Sequence, residues 1–592
     1  MILRALYDLA QQEGLADDLD FEPAQLRYTL VLGPKGTRAT LVDRSQLLPA
    51  EGKKKPELRK PTILVPRRTG RTSGSCAEFL VDKADYLLGW EPLGKTKSNL
   101  LAERHALYRD LLGRAREAQT PASLEREALE ALEAFLDQPL EARIQPLKEA
   151  LERCGSEKDR IELASAFFNV EYEPLGPQPL HLLPGLKAFW KASRTQAAQT
   201  SMQCLVTGLA CVPVDKHPQL KNVPGGNTAG ASLVSFNSPA FESYGAKGNE
   251  SAPIGREAAE AISAAANGVL SRSPVRPDGA ALPRRHVRLS GNTVALFWAE
   301  GGTDVPWWEK LSEEPEAVEA MLEAPYQGHP PALEDPNAFH TLILSGAQGR
   351  CVVRAYGRRT TAEVAREVRR YLQQVRIPRP FKKGVGAYPL WTYLRSLAVL
   401  GKEDNLPPHL ASTIYMAILQ GAPFPRVVLD AALRRTRSEG PEGEFFAARC
   451  GMIRAYFHRL PQNSKEITVS LDPTFQEPGY LLGRLLALLD KLQQDALGSA
   501  NATLVDRYYG SASTTPGAVF PTLIRRSQHH LSRLRKDKPG FAVNQEKLLQ
   551  AICQPLARFP RTLTLDQQGL FALGFHHQRQ DFYTPRSEST PN

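Results

Sequence analysis

The spacing of apolar residues changes along this chain, and that change excludes a single repeated architecture. Toward the C-terminus, Leu481, Leu485, Leu488 and Leu492 recur every three to four positions and so share one side of a helix. Helical patterns follow in FPTLIRRSQHHLSRLRK, NQEKLLQAICQPLARF and DQQGLFALGFHHQRQDFY. The start of the chain reads differently. A short amphipathic helix carries Leu3, Leu6, Tyr7 and Ala10 on one face. LRYTLVL and TRATLV flank a turn at Gly33, Pro34, Lys35 and Gly36 and predict a β-hairpin, and TILVP predicts another strand. The expected fold class is α+β: a mixed N-terminal region with small β-sheets and helices, followed by a C-terminal α-helical bundle. No internal sequence repeat is present.

At 592 residues the chain calls for about three or four folding units. Residues 1–99 read as an α+β domain with a basic loop, and 100–179 as a helical segment around LEREALEALEAFL. Residues 180–386 are rich in Gly, Ser, Asn and short apolar runs, with one helix expected in GREAAEAISAAANGVL. Within them FHTLILSG and RCVVRAY predict strands parted by Ala347, Gln348 and Gly349. Residues 387–468 read as helical, and 469–592 as the bundle. The tail RSESTPN is expected to fray.

Seven scattered cysteines are an odd, dilute set, not a disulfide framework, and point to a reducing compartment. MILRALYDLAQQEGL lacks the basic and apolar regions of a signal peptide, and no apolar run approaches about 18 residues, the length that spans a bilayer. A cytoplasmic protein without membrane spans is expected.

The net charge of +10 is modest for the length, and its distribution says more. Residues 354–383 carry ten Lys and Arg against Glu363 and Glu367. Residues 525–538 carry Arg525, Arg526, Arg533, Arg535, Lys536 and Lys538 against Asp537. Residues 300–335 are acidic. Segregated basic blocks suit phosphate backbones, though each also fits a solvated helix face.

Enzyme chemistry is not legible. The chain has no P-loop, dinucleotide fingerprint, HExxH or G-x-S-x-G. No compact carboxylate cluster suggests a two-metal nuclease. Cys204, Cys211 and His217 fit no zinc spacing. The pairs His529–His530 and His576–His577 diverge on a helix and read as surface or interface residues. No catalytic residue, metal or cofactor is expected.

Three segments suit nucleic acid. The first is the loop Arg67, Arg68, Thr69, Gly70, Arg71, Thr72, Ser73, Gly74, in which arginines and hydroxyls meet phosphate and glycines admit backbone amides. The second runs from Lys216 and His217 through Lys221, Asn222, Gly225 and Gly226 to Asn227. Asn can read base edges, and Gly permits entry into a narrow minor groove. The third holds Phe236, Asn237, Phe241 and Tyr244, spaced either to stack on bases or, as is more usual for such aromatics, to fill a core.

Taken together these stretches resemble the large subunit of the type I-C CRISPR Cascade complex. The matching segments include RRTGRTSGSCAEFLVDKADYLLG, CLVTGLACVPVDKHPQLKNVPGGNTAGASLVSFNSPAFESYG and PGYLLGRLLALLDKLQQDALG, and the likeness runs over nearly the whole chain. It implies a subunit of a crRNA-bound complex, beside backbone subunits, small subunits and the subunit holding the crRNA 5′ handle. Such a subunit inspects double-stranded target DNA for a protospacer-adjacent motif, helps open it, guides the displaced single strand and recruits a separate helicase–nuclease. On that footing Arg67, Arg68, Arg71, Thr72 and Ser73 hold phosphate. Lys216, His217, Lys221, Asn222, Gly225, Gly226 and Asn227 probe the minor groove. Arg358, Arg359, Lys382, Lys383, Arg525, Arg526 and Arg533 follow a strand or face crRNA. Two departures stand out: Val81–Asp82–Lys83 replaces a Cys-Asp-Asn run, and Asn227 stands where relatives often carry Gln. Relatives also make their C-terminal bundle separately from an internal start, for which Val469 and Met452 are the candidate positions here.

Overall fold

The computed structural model describes residues 2–16, 19–48, 57–67, 75–94, 96–194, 201–271, 284–302, 337–380, 384–461, 466–498 and 503–583. The chain forms two compact units, one of Met1–Lys221 and Thr228–Pro283, the other of Asn222–Asn227 and Arg284–Asn592.

In the first unit the expected hairpin pairs Tyr28–Leu32 antiparallel with Ala39–Asp43. On its other side Tyr28–Leu32 pairs in parallel with Phe167–Tyr172, which pairs in turn with Val81–Lys83. Phe167–Tyr172 falls inside the stretch read as helical. Its parallel partner lies far away in sequence, and a single short FFNVEY carries little signal of its own. The helices Ser98–Glu117, Leu124–Leu136, Leu140–Glu152 and Glu157–Ala164 separate the two strands. Ser123 and Ser156 start two of them by accepting the backbone N–H three residues on, which satisfies an amide the helix leaves unpaired. Leu129, Leu132 and Leu136 bury one helix face in the same core as Leu30, Leu32, Val170 and Tyr172. The expected helix over GREAAEAISAAANGVL is Arg256–Leu270.

In the second unit His286–Ser290, Thr293–Ala299, Ala338–Ala347 and Arg350–Thr360 form an antiparallel sheet in that order, which leaves Arg350–Thr360 at an edge. Phe297, Phe339 and Ile343 enter the same core as Val364, Val368 and Leu372 of the helix Thr361–Val375. Thr360, Thr503 and Thr564 each cap a helix reciprocally with Glu363, Asp506 and Gln567. The helix Pro478–Leu497 carries the leucine stripe, and Leu485 and Leu488 have no exposed surface. Burying one such side chain contributes about 2 kcal/mol. Against it packs Leu565–Asp581, so closely that a Cβ on Gly483 would lie 2.0 Å from the Phe571 carbonyl oxygen, and one on Gly574 2.1 Å from that of Tyr480. The core continues from these helices into Gly443–His458, where Phe446 meets Phe575 and His576.

His576 and His577 are buried, not at the surface. They do diverge: Nε2 of His576 donates to the Pro378 carbonyl at 2.8 Å, while Nδ1 of His577 meets the Tyr480 hydroxyl at 2.9 Å. Burial pushes the His576 pKa down to about 4 and holds that of His577 well below the usual histidine value. Among the described residues no helix is long and apolar enough to cross a membrane.

Candidate nucleic-acid interface

In the first unit a buried ionic cluster holds the start of the basic loop. Arg67 is only 8% exposed. Its Nε donates to the Leu19 carbonyl at 2.5 Å and its Nη2 to that of Phe21 at 3.3 Å, and Glu260 stands 4.0 Å away. Arg194 donates to the Arg67 carbonyl and pairs with Asp20 and Glu260, and Arg256 also reaches Asp20. Burial raises the Glu260 pKa, and the nearby Arg194, Arg67 and Arg256 oppose that. This corrects the sequence expectation for Arg67: a guanidinium spent on buried carbonyls anchors the loop and does not offer itself to phosphate. On the far side of the loop, buried Asp82 accepts the backbone N–H groups of Glu78 at 2.8 Å and Lys83 at 2.7 Å. The Val81–Asp82–Lys83 departure therefore keeps the acidic residue that fixes this backbone. Arg68, Arg71, Thr72 and Ser73, between the two anchors, lie outside the described residues.

Lys216 is exposed. Lys221 is half-exposed, with its ammonium 3.5 Å from Glu22 and its backbone N–H on Asn267. His217 departs from expectation. It borders a small apolar cavity with Leu3, Leu220, Val234 and Ile254, and burial pushes its pKa down to about 4. A neutral ring in that setting packs and does not attract phosphate. Among the described residues no cluster of His, Cys, Asp and Glu is placed to hold a metal. The aromatic segment also differs from the core reading. Tyr244 is fully exposed at a positive φ of 56°, Phe241 is 41% exposed and Phe236 is half-buried.

In the second unit the Gly-rich turn lies on the tip of the long hairpin. Gly346 N–H donates to the Pro224 carbonyl at 2.9 Å, and Asn227 N–H donates to the Gln348 carbonyl at 3.1 Å. Gly226 and Gln348 form a parallel bridge. A Cβ on Gly346 would sit 2.2 Å from the Gly226 nitrogen, and one on Gly225, at φ 76°, 2.7 Å from the Asn292 Cβ. The glycines are thus used up by backbone packing against the hairpin, not by approach to a groove. What the packing displays is amide side chains: Asn222, Asn227 and Gln348 are all exposed. The sequence reading passed over Gln348 as an ordinary turn residue. Its one signal was a bulky amide next to Gly349 in a two-residue hairpin turn, where small turn formers are usual.

The two basic blocks differ. The first disperses. A bulge at Arg354 sits between the pairs Ile343–Ala355 and Leu344–Val353, and Arg358 and Arg359 point to opposite faces. Arg358 reaches Glu300 at 3.3 Å, and Arg359 donates to the Gln420 carbonyl at 2.6 Å and pairs with Glu363. Arg359 is therefore engaged within the fold, contrary to the expectation of a strand-facing cation. Lys382 and Lys383 lie outside the described residues. The second block is coherent. Arg525, His529, Arg533 and Lys536 recur at helical spacing on the exposed side of Pro516–Asp537, opposite buried Leu523, Ser527, Leu531 and Leu534. Arg526 donates to the Tyr508 hydroxyl at 3.1 Å and, with Arg507 and His530, borders a cleft of about 70 Å³.

A family model described as CRISPR-associated protein (Cas_Csd1) matches residues 3–583. No curated protein matches the chain. Nearly the whole sequence, from the first helix through the last helix of the bundle, is covered by that one family, so this chain belongs to the CRISPR-associated Cas_Csd1 proteins.

Proposed function

We propose that this chain is the large, non-catalytic subunit of a type I-C Cascade surveillance complex. In it the chain inspects duplex DNA for a short protospacer-adjacent motif. The observation that carries this reading is the hairpin tip, where two backbone segments lock together and leave Asn222 and Asn227 exposed. Amides held by a rigid scaffold suit base edges, because each offers a donor and an acceptor. The cationic side of Pro516–Asp537 suits a phosphodiester chain and carries no sequence information of its own. The division of labour follows from the chemistry. Protein reads the short motif and the backbone, and crRNA pairing reads the rest of the target. In this role the chain assembles in the cytoplasm with crRNA, backbone subunits, the 5′-handle-binding subunit and small subunits. It stabilises the R-loop and helps recruit a separate helicase–nuclease.

The test reconstitutes the crRNA complex with and without this chain. Binding is measured to one matched duplex carrying either a permissive or a scrambled flank. Flank-dependent binding is expected only when the chain is present. Flank selection that persists in its absence would assign motif reading to another subunit, and metal-dependent DNA cleavage by the isolated chain would contradict the non-catalytic role.

A further inference from the structure

Cys204 and Cys211 fit no zinc spacing, yet the fold of the first unit brings their sulfurs together. They lie on a short hairpin that pairs Met202–Gln203 with Ala210–Cys211. The Cys204 N–H donates to the Leu209 carbonyl at 2.8 Å, and the Cys204 carbonyl accepts the Gly208 N–H at 2.9 Å. Gly208, at φ 75°, lets the chain reverse within so few residues. Across that reversal the Cys211 and Cys204 thiols are in hydrogen-bond contact. Both also meet Gly255, the residue that opens the helix Arg256–Leu270. The Gly255 N–H donates to the Cys204 sulfur. A Cβ on Gly255 would lie 2.9 Å from the Cys211 Cβ and 3.5 Å from its Sγ.

The two thiols differ in access and in acidity. Cys204 is 2% exposed, whereas Cys211 is half-buried and reaches solvent. Burial alone would raise the Cys204 pKa. Hydrogen bonds from the Thr207 hydroxyl and from the N–H groups of Gly255, Thr207 and Val206 outweigh it and bring the pKa down to about 7. The positive end of the helix dipole favours the thiolate in the same sense. Burial, with the Cys204 sulfur beside it, pushes the Cys211 thiol up. A thiol whose pKa lies near ambient pH is the best attacking group in thiol–disulfide exchange. Among the described residues no third His, Cys, Asp or Glu joins the pair in a group able to hold a metal. One sulfur that solvent reaches, beside one held ready as thiolate, suits reversible sulfur exchange.

We propose that Cys204 and Cys211 form a reversible disulfide site that reacts with low-molecular-weight disulfides. Cys211 is the point of entry. Its proton passes to the Cys204 sulfur, and the Cys211 thiolate attacks one sulfur of an incoming R–S–S–R. A Cys211–S–S–R bond forms, the R–S–S–R bond breaks, and the departing thiolate takes the proton from Cys204. The Cys204 thiolate then attacks the Cys211 sulfur, and the second RS⁻ leaves and is protonated from water. The protein pair is oxidised by two electrons, and the incoming disulfide is reduced to two thiols. Closure ties the hairpin across its own turn and removes the thiolate that accepts the Gly255 N–H. In a reducing compartment such a bond forms only while oxidised disulfides accumulate, as transient redox-sensing disulfides do.

The test incubates the full, reduced chain with glutathione disulfide near neutral pH, alkylates the remaining thiols and maps the chain by mass spectrometry after trypsin. Both cysteines fall in the one peptide of residues 195–216. In wild type that peptide is expected to lose both alkylatable thiols, to weigh two hydrogens less and to carry no glutathione. Dithiothreitol should restore both thiols. Cys204→Ser should instead trap one glutathione on Cys211, and Cys211→Ser should leave Cys204 unmodified. A wild-type peptide that keeps both alkylatable thiols would overturn the proposal, as would a disulfide joining either cysteine to another part of the chain. Glutathione retained on Cys204 in the Cys211→Ser chain would overturn the assignment of Cys211 as the entry. Wild type alone decides the pairing, so the test stands even where a variant melts early.

Discussion

A guanidinium buried among carbonyls cannot also meet a phosphate, and Arg67 is held in that way by Leu19, Phe21 and Glu260. Its neighbour Glu260 is also buried beside Arg194 and Arg256. Removing one member of such a cluster leaves uncompensated charge in a poorly solvated site, at a cost of about 3 kcal/mol. Arg67→Ala is therefore expected to lower the thermal midpoint markedly in a melting experiment; an unchanged midpoint would show that the cluster does not hold the loop. The sequence could not reveal the burial of Arg67, because that burial depends on Asp20 and Glu260, which lie elsewhere in the chain. It left Tyr244 open between stacking and core for a related reason, since an aromatic spacing does not reveal which side of a turn faces solvent. His576 makes a second prediction. Unfolded histidine takes a proton below about pH 6.5, whereas burial keeps His576 neutral in the fold until about pH 4. Across that window the unfolded state binds more protons, so stability is lost as pH falls from about 6.5 to about 4. Wild type should lose about 2–3 kcal/mol more unfolding free energy between pH 7.5 and 4.5 than His576→Gln, read by urea denaturation. Parallel pH profiles for the two proteins would contradict the assignment.

At the scale of elements, regular periodicity was legible and long-range pairing was not. The leucine stripe of Pro478–Leu497 and the hairpin of Tyr28–Leu32 with Ala39–Asp43 follow from local spacing alone. Phe167–Tyr172 escaped notice because it gains its hydrogen bonds from Tyr28–Leu32 and Val81–Lys83, strands formed far earlier in the chain. The Gly225–Gly226 turn was legible as special, but its docking on Gly346 was not, since that contact joins segments distant in sequence. The close approach of Pro478–Leu497 to Leu565–Asp581 makes a sharp prediction. Gly483→Ala puts a methyl against the Phe571 backbone, which cannot move without separating the helices, and should cost about 3 kcal/mol. Gly510→Ala, where a Cβ meets nothing within 4 Å, should instead stabilise its helix by about 0.5–1 kcal/mol. Chemical denaturation of both variants checks the pair, and equal effects would argue against the tight crossing. The basic side of Pro516–Asp537 predicts a different signature. Arg533→Ala should weaken binding of the complex to every target alike and reduce the slope of log affinity against log salt by about one. A sequence-dependent effect would show that Arg533 does more than meet phosphate.

For the whole molecule, membership of the Cas_Csd1 family and the mixed α+β fold agree with what the sequence suggested. Family membership also implies assembly with other CRISPR-associated proteins. The proposed functional surface was only partly legible. Local composition marked the Gly-rich turn and the basic helix, but only the folded chain gathers Asn227 and Gln348 at one hairpin tip and disperses Arg358 and Arg359. The central claim is that this tip reads bases while the basic helix holds backbone. The most direct measurement is binding of the reconstituted crRNA complex to a library of flanking sequences, with wild-type chain and with Asn227→Ala. The account predicts that Asn227→Ala changes discrimination at one flanking position by about 1–3 kcal/mol and leaves the other positions as they were. A flanking profile identical to wild type, or a uniform loss at every position, would contradict it.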